Sequence, residues 1–461
     1  MQTNISETMT PVERRAAASL ASIYALRMLG LFMILPVFAL YAEHLAGVTP
    51  TLVGVALGIY GLTQAVLQIP FGMVSDRIGR KPVITAGLLI FALGSVVAAM
   101  SGTIQGVIIG RALQGAGAVA AVVLALAADL TREEHRLKVM AGIGISIGIS
   151  FSVALVAGPM LEHWIGVPGI FWLTAVMALG GIGVLQLWVP RPTHLHLHRD
   201  TEAVPEQFRE VLSNGQLLRL DFGIFALHMA LTAIFVVVPH ILRDSVGMPV
   251  NHHWHIYLPV MLVAFVAMVP FIIIAEKKRR MKQVLSGAIL GLGLSMIGMW
   301  LSHDNIIGIV LALLLFFTTF NLLEATLPSL IAKTAPAWSK GTAMGVYSSS
   351  QFLGAFAGGF MGGWLNGRFG ITGVFLFSAL VAGVWFWLAV TMREPRYLSS
   401  YLINVGAIDT ARAEQLTREL LAEQGVEEAV VLADDGVAYL KVDPERIDAA
   451  ALAGYSSESE R

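Results

Sequence analysis

The sequence predicts an all-α membrane protein of twelve transmembrane helices in two six-helix bundles, with a small α/β domain at its C-terminal end. Three observations carry that expectation. Of 461 residues, 56% are hydrophobic and only 13% charged, against about 25% charged in soluble globular proteins. Apolar runs of roughly 20 residues, enough to cross about 30 Å of hydrocarbon as a helix, recur from Ala16 to Met392 between short polar breaks. After Pro395 the composition turns polar.

The apolar runs place spans near 16–42, 51–74, 83–101, 104–128, 139–161, 168–189, 221–242, 254–275, 284–302, 306–331, 342–365 and 371–391. Positively charged loops resist translocation and so set the orientation. Alternate loops are basic, with Arg77, Arg80 and Lys81, then Arg132, Arg136 and Lys138, and later Lys277 through Arg280, whereas the opposite loops offer Arg243 and Arg368. Both termini are therefore expected in the cytoplasm. Glu7, Glu13, Arg14 and Arg15 precede a long first span containing Arg27, which is unlike a cleavable signal core, so this segment is expected to be retained.

The chain repeats internally. "IPFGMVSDRIGRKP" at Ile69 returns as "VPFIIIAEKKRRMK" at Val269, 200 positions later, and Thr131 to Gly142 has a counterpart of equal length in Thr334 to Gly345. The expected organisation is an N-terminal bundle over 1–189, a cytoplasmic linker over 190–220, a C-terminal bundle over 221–395 and a cytoplasmic domain over 396–461. Parallel repeats that rock around a midplane site are a plan of secondary transporters. The absence of a G-x-x-x-x-G-K-[ST] loop argues against ATP hydrolysis by this chain, which leaves an ion gradient as the energy source. No nucleophile, metal set or cofactor loop supports an enzyme, and nothing points to nucleic acid. With no cysteine, disulfides and thiolate metal sites are excluded. His194, His196 and His198, and His252, His253 and His255, lack a fixed ligand geometry and read as solvated or interfacial, so no metal is expected.

Gly72, Asp76, Arg77, Gly79, Arg80 and Lys81 fit the pattern G-x-x-x-D-[RK]-x-G-R-[RK]. In this the chain resembles the major facilitator superfamily, and Arg111, Gln114, Gly115 and Gly117 in "RALQGAG" resemble that family's fourth-helix motif. Together with its tail, the chain looks like the YajR-type proton-coupled efflux group. The resemblance implies a bacterial inner-membrane transporter working by alternating access, with lipid, protons and a small molecule as partners and a monomer as the expected state.

Span two runs toward the cytoplasm, so Asp76 sits near the negative end of its own helix dipole, a position unfavourable by some tenths of a kcal/mol to about 1 kcal/mol. The free N–H groups at the start of span eleven, at Gly341, offer it a partner in the other half, while Arg80 is expected to pair with Asp129. Such a latch would hold while the cavity faces outward and break when it opens inward. The plainer alternative is that the cations set topology and the aspartate caps a turn.

Ionisable groups within spans mark pathways. Here they are Arg27, Arg111, His228 and Glu324. Tyr24, Tyr60, Gln64, Gln68 and Gln114 accompany the cations of the N-terminal half, and Asn321 and Gln351 are the C-terminal counterparts. Glu324 is the leading proton carrier, because a carboxyl group withdrawn from water favours its protonated form, and His228 and Asp76 are further candidates. Alternatives remain for each: Glu324 paired with Lys333, Arg27 held by backbone carbonyls, and Gln114 and Gln351 as contacts between helices. The drug-antiporter pattern G-P-x-x-G-G is met only in part, by Gly148, Gly158 and Pro159 followed by Glu162 and His163. Span one also lacks a deep acid. Both departures favour an anionic or neutral compound drawn by Arg27 and Arg111.

The tail reads as strand, helix, strand, Asp435-Gly436 turn, strand and helix, with a helix start at Asp409 or Thr410 and a stop at Gly425. This order resembles the ferredoxin-like module of heavy-metal-associated domains without their C-x-x-C loop. Its acids Glu423, Glu427, Glu428, Asp434 and Asp435 suggest docking on the basic inner face. The expected function is proton-coupled export of a small amphiphilic or anionic compound. An uptake symporter and a membrane sensor signalling through the tail are the alternatives.

Overall fold

The computed structural model describes residues 9–190, 207–394, 398–406, 408–433, 436–443, 446–447, 452 and 454–455. The linker histidines, Glu7, Asp434, Asp435 and most of the expected final helix lie outside them.

Among the described residues, ten helices are long and apolar enough to cross a membrane. Two of them, Lys138–Leu187 and Lys340–Val390, run for 50 and 51 residues. Each turns back at a glycine that leaves helical geometry, Gly166 with φ 65° and Gly370 with φ 64°, and so supplies two crossings. Twelve spans result. Span one starts at Pro11 behind a capping box, in which Thr10 and Glu13 satisfy each other's backbone N–H groups, and it bends between Phe32 and Leu35 ahead of Pro36. Span two is Pro50–Ile78, span four is divided at Gly117 into Ile104–Ala116 and Ala120–Asp129, span seven is Gly215–His240, and span ten is Ile306–Thr334.

The basic loops gather at one end of the bundle, here termed the basic end. Spans two and eleven form a close seam between the halves. A Cβ built on Gly54 would lie 1.9 Å from the Gly359 carbonyl oxygen, and those on Gly61 and Gly363 would lie 2.4 Å from the carbonyl oxygens of Phe352 and Pro50. The missing side chains let two backbones touch. The seam runs from the far end of the molecule down to Gln68, whose Nε2 donates to Ser349 Oγ at 2.7 Å. Below that bond it stops: nothing lies within 4 Å of a carbon added at Gly72. Higher up, Phe151 of span five stacks on Phe320 of span ten at 5.8 Å and closes the roof. The halves are thus sealed at the far end and parted at the basic end.

The tail is a three-stranded antiparallel sheet, β1 (Ser399–Asn404), β2 (Val426–Leu432) and β3 (Val437–Val442), in the order β1-β3-β2. Its helix, Thr410–Ala422, is capped by the Asp409 side chain, which accepts from the Arg412 N–H, and it buries Ala413, Leu416 and Leu420 in one cluster with Ala438 and Leu440 of the sheet. Two strands flanking a third with a helical crossover are the ferredoxin-like arrangement. A contact of the tail with the membrane domain is made by a cation: buried Lys441 of β3 donates to the Lys333 carbonyl at 2.5 Å. A cation at the last turn of span ten meets the negative end of that helix. Burial in turn pushes the Lys441 ammonium below its usual pKa, against the pull of Glu428. Glu423 turns instead to Tyr455 within the tail, at 2.7 Å.

Candidate functional site

At the basic end, the signature stretch folds as a hub around Arg80. Gly79 takes φ 97°, a conformation that a side chain resists, and this sharp turn points Arg80 back into the protein. Its guanidinium bonds Ser75 at 2.8 Å, Asp76 one turn back, and Asp129 of span four at 3.1 Å. Lys81 caps span six, donating to the carbonyls of Leu185 and Val189 at 3.1 and 2.6 Å. Arg77 is exposed. The Asp76 side chain is 36% exposed, and among the described residues no hydrogen bond joins it to buried Gly341. The expected latch is thus not made among the described residues. The linker holds the start of span eleven, where Gln207 bonds the Trp338 carbonyl and the Thr342 hydroxyl, both at 2.8 Å.

In the N-terminal half, Arg27 is buried, with Nη2 donating to Gln64 Oε1 at 2.5 Å and to the Gly117 carbonyl at 3.3 Å. The aromatic rings of Tyr60 and Phe91 lie 5.7 and 5.6 Å from the guanidinium, and Tyr24 is buried beside it. Among the described residues, Arg27 Nε and Nη1 and Gln64 Nε2 have no hydrogen-bond partner. Three donors therefore remain free around one fixed cation. The expectation that Arg111 shares this task needs correction. Its Nε and Nη2 donate to the carbonyls of Ala56 and Leu57, both at 3.2 Å, and its Nη1 donates to Gln114 at 3.0 Å, which in turn holds Ser95 at 2.8 Å. Arg111 and Gln114 tie spans two, three and four together.

In the C-terminal half, three residues noted separately in the sequence come together. Gln351 Nε2 lies 2.8 Å from His228 Nε2 and 3.2 Å from Glu324 Oε1, and His228 is 3.9 Å from Glu324. The alternative pairing of Glu324 with Lys333 does not occur, because Lys333 meets Glu276 at 2.7 Å. The Glu324 side chain is 37% exposed. It lies one turn below the Phe151–Phe320 roof, on the side where the halves part. Asn321 is buried with its amide nitrogen unpartnered. Among the described residues no cluster suits a metal ion.

The sequence reading missed the contact that shuts the far end. Arg243 of span seven grips Glu43 of span one with two nitrogens, at 2.7 and 2.9 Å, and His240 joins Glu43 at 3.3 Å. Asp244 takes the remaining side of the same guanidinium, at 2.6 Å. Glu43 and Arg243 are 200 positions apart, the offset of the internal repeat, so two equivalent positions meet across the pseudo-symmetry axis; that offset was the available signal. The Arg243 guanidinium holds the Glu43 carboxyl below its ordinary 4.5. A carboxyl depressed in this way contributes to closure above that value, and the contribution is lost as pH falls through the bound value. Glu43→Gln is expected to weaken closure by about 1 kcal/mol. Spin labels at His44→Cys and Ser245→Cys in this cysteine-free chain are expected to report a longer distance in the variant. In the unmodified latch that distance is expected to lengthen as the pH falls through the lowered value of the Glu43 carboxyl, below its ordinary range. An unchanged distribution in Glu43→Gln would remove the latch from the account.

A family description, "Major Facilitator Superfamily", matches residues 20–358. The chain is 50% identical over 436 residues to the inner membrane transport protein YajR of Escherichia coli (strain K12), covering 94% of this chain and 95% of that protein. It is 35% identical to an uncharacterized transporter of Buchnera aphidicola subsp. Acyrthosiphon pisum, over 76% of this chain and 89% of the relative. Among solved structures, a D-xylose-proton symporter superposes with a TM-score of 0.66 at 15% identity, over 82% of this chain and 98% of that one, a likeness of fold. Twelve spans in two halves, the signature hub around Arg80 and the extent of these matches have one reading: the chain is a membrane transporter, not an enzyme, and belongs to the major facilitator superfamily.

Proposed function

We propose that this transporter exports a small amphiphilic anion in exchange for protons, in a bacterial inner membrane with its basic end in the cytoplasm. The observation that carries the reading is a division of labour between the halves. Arg27 and Gln64 keep three unpartnered donors beside two aromatic rings, which suits a carboxylate attached to an apolar or aromatic body. Glu324, Gln351 and His228 form a hydrogen-bonded group in the C-terminal half, and its carboxyl and imidazole offer sites for a proton. Asp76 and Gly341 act as the latch of the opposite, outward-open state, with Arg80 and Asp129 as its frame.

Proteoliposomes with an imposed pH gradient test this, with benzoate as the first probe and longer aromatic carboxylates after it. Probe-stimulated proton movement opposite to the probe is expected. Movement of both in one direction indicates a symporter, and binding without flux indicates a sensor. The sensor reading draws on one feature, the bond from Lys441 of the tail to the end of span ten.

A further inference from the structure

Unpartnered polar atoms continue from Glu324 toward the basic end. Asp221, in the first turns of span seven, is 5% exposed, and neither carboxylate oxygen has a hydrogen-bond partner among the described residues. Spans seven and eleven run side by side, because carbons added at Gly354 and Gly358 would meet the carbonyls of Phe225 and Met229 at 2.1 Å. Extending that register toward the basic end sets Asp221 against the turn from Tyr347 to Gln351. Tyr347 is buried, its hydroxyl has no partner among the described residues, and it lies within electrostatic range of both Asp221 and Glu324. His228 follows Asp221 by two turns on the same face of span seven.

The charged groups nearby are directed elsewhere. Arg219 donates to the Leu388 carbonyl and the Thr391 hydroxyl at 3.3 and 3.0 Å, and Lys333 is paired with Glu276. Span twelve meets this part of span seven through Trp385, packed on Gly223. Among the described residues, Tyr347 of span eleven is an ionisable group within electrostatic range of Asp221 and in turn within range of Glu324 of span ten, while His228 lies two turns further along span seven. A bare carboxylate in such surroundings is strongly unfavourable, whereas a neutral carboxylic acid is tolerated.

We propose that Asp221 is a second proton-carrying group of the transport path, exchanging its proton with Glu324 by way of the Tyr347 hydroxyl. When Glu324 gives up its proton it becomes a carboxylate. Tyr347 accepts that proton on oxygen as it passes its own to an ionised Asp221, which becomes the acid. Asp221 then releases the proton at the basic end, which is the open side of this structure. The proposal rests on the reading of Glu324 as the coupling group, and its test separates the two.

Infrared difference spectra of the full-length purified protein need no transported compound. At neutral pH wild type is expected to show two protonated-carboxyl bands, one that is lost in Asp221→Asn and kept in Glu324→Gln, and one that is lost in Glu324→Gln. Superimposable wild-type and Asp221→Asn spectra would overturn the assignment. If Asp221→Asn does not fold, wild type grown with isotope-labelled aspartate answers the same question: one band shifts if it belongs to an aspartate, and no shift in either band overturns the proposal. For the relay, the band that Glu324→Gln removes is followed after an alkaline jump. Asp221→Asn is expected to slow its decay about 10-fold or more, and an unchanged rate overturns the relay. A missing Glu324 band beside an intact Asp221 band would instead count against Glu324 alone.

Discussion

Gly54→Ala is expected to force open the end of the transporter that this structure holds shut. The added methyl would sit 1.9 Å from the Gly359 carbonyl oxygen, and the obstacle is backbone within a helix, so no side-chain rotation relieves it. Overpacking of this kind costs about 1–3 kcal/mol, which corresponds to a population shift of about 5- to 150-fold. The far end should part, the His44→Cys to Ser245→Cys distance should lengthen, and cycling should slow accordingly. Gly72→Ala is the matched control, because nothing lies within 4 Å of the carbon it adds, and the basic-open state should be unaffected. If Gly54→Ala keeps both the wild-type distance and the wild-type turnover, the seam between spans two and eleven does not set the conformational balance.

Glu324→Gln should separate transport from the proton gradient. The amide occupies the same volume and can still bond Gln351, now 3.2 Å away, so the fold and the Arg27 pocket on the other half should persist. What is removed is the proposed site of proton loading. Gradient-driven accumulation of the benzoate probe should fall by about 100-fold or more, while exchange of labelled for unlabelled probe at equal pH continues. Glu276→Gln, which removes only the half-exposed partner of Lys333, should leave coupling intact. Equal loss of exchange and accumulation in Glu324→Gln would mean that the carboxyl binds the probe or supports the fold rather than carrying protons.

Both predictions concern positions that differ in how plainly the chain announces them. Glu324 stands out in any reading, since an acid in the middle of an apolar run has few structural excuses. Its partners were also visible one by one, but that His228 and Gln351 converge on it depends on how spans seven, ten and eleven are rotated about their axes. Arg111 illustrates the reverse case. As a buried cation it looked like Arg27, yet it faces the carbonyls of Ala56 and Leu57, and no pattern within span four reveals that. Asp221 was overlooked because it falls at the edge of its apolar run, where an acid normally reaches water.

The tail divides in the same way. Its strands, the Asp409 cap and the Gly425 stop follow from local propensity and turn chemistry. Its contact with the membrane domain includes one that no local pattern announces, the bond from Lys441 to the carbonyl at the end of span ten.

By itself, the sequence determined the number of spans, the basic end, the signature turn and the order of strands and helix along the tail. Each of these rests on hydrophobic length, charge placement or turn geometry, which act between neighbours along the chain. The tertiary structure alone decided which end is closed, that Glu43 and Arg243 fasten it, and which buried polar groups are occupied and which remain free. Those outcomes depend on contacts between helices up to 200 positions apart, where side-chain direction rather than residue type chooses the partner.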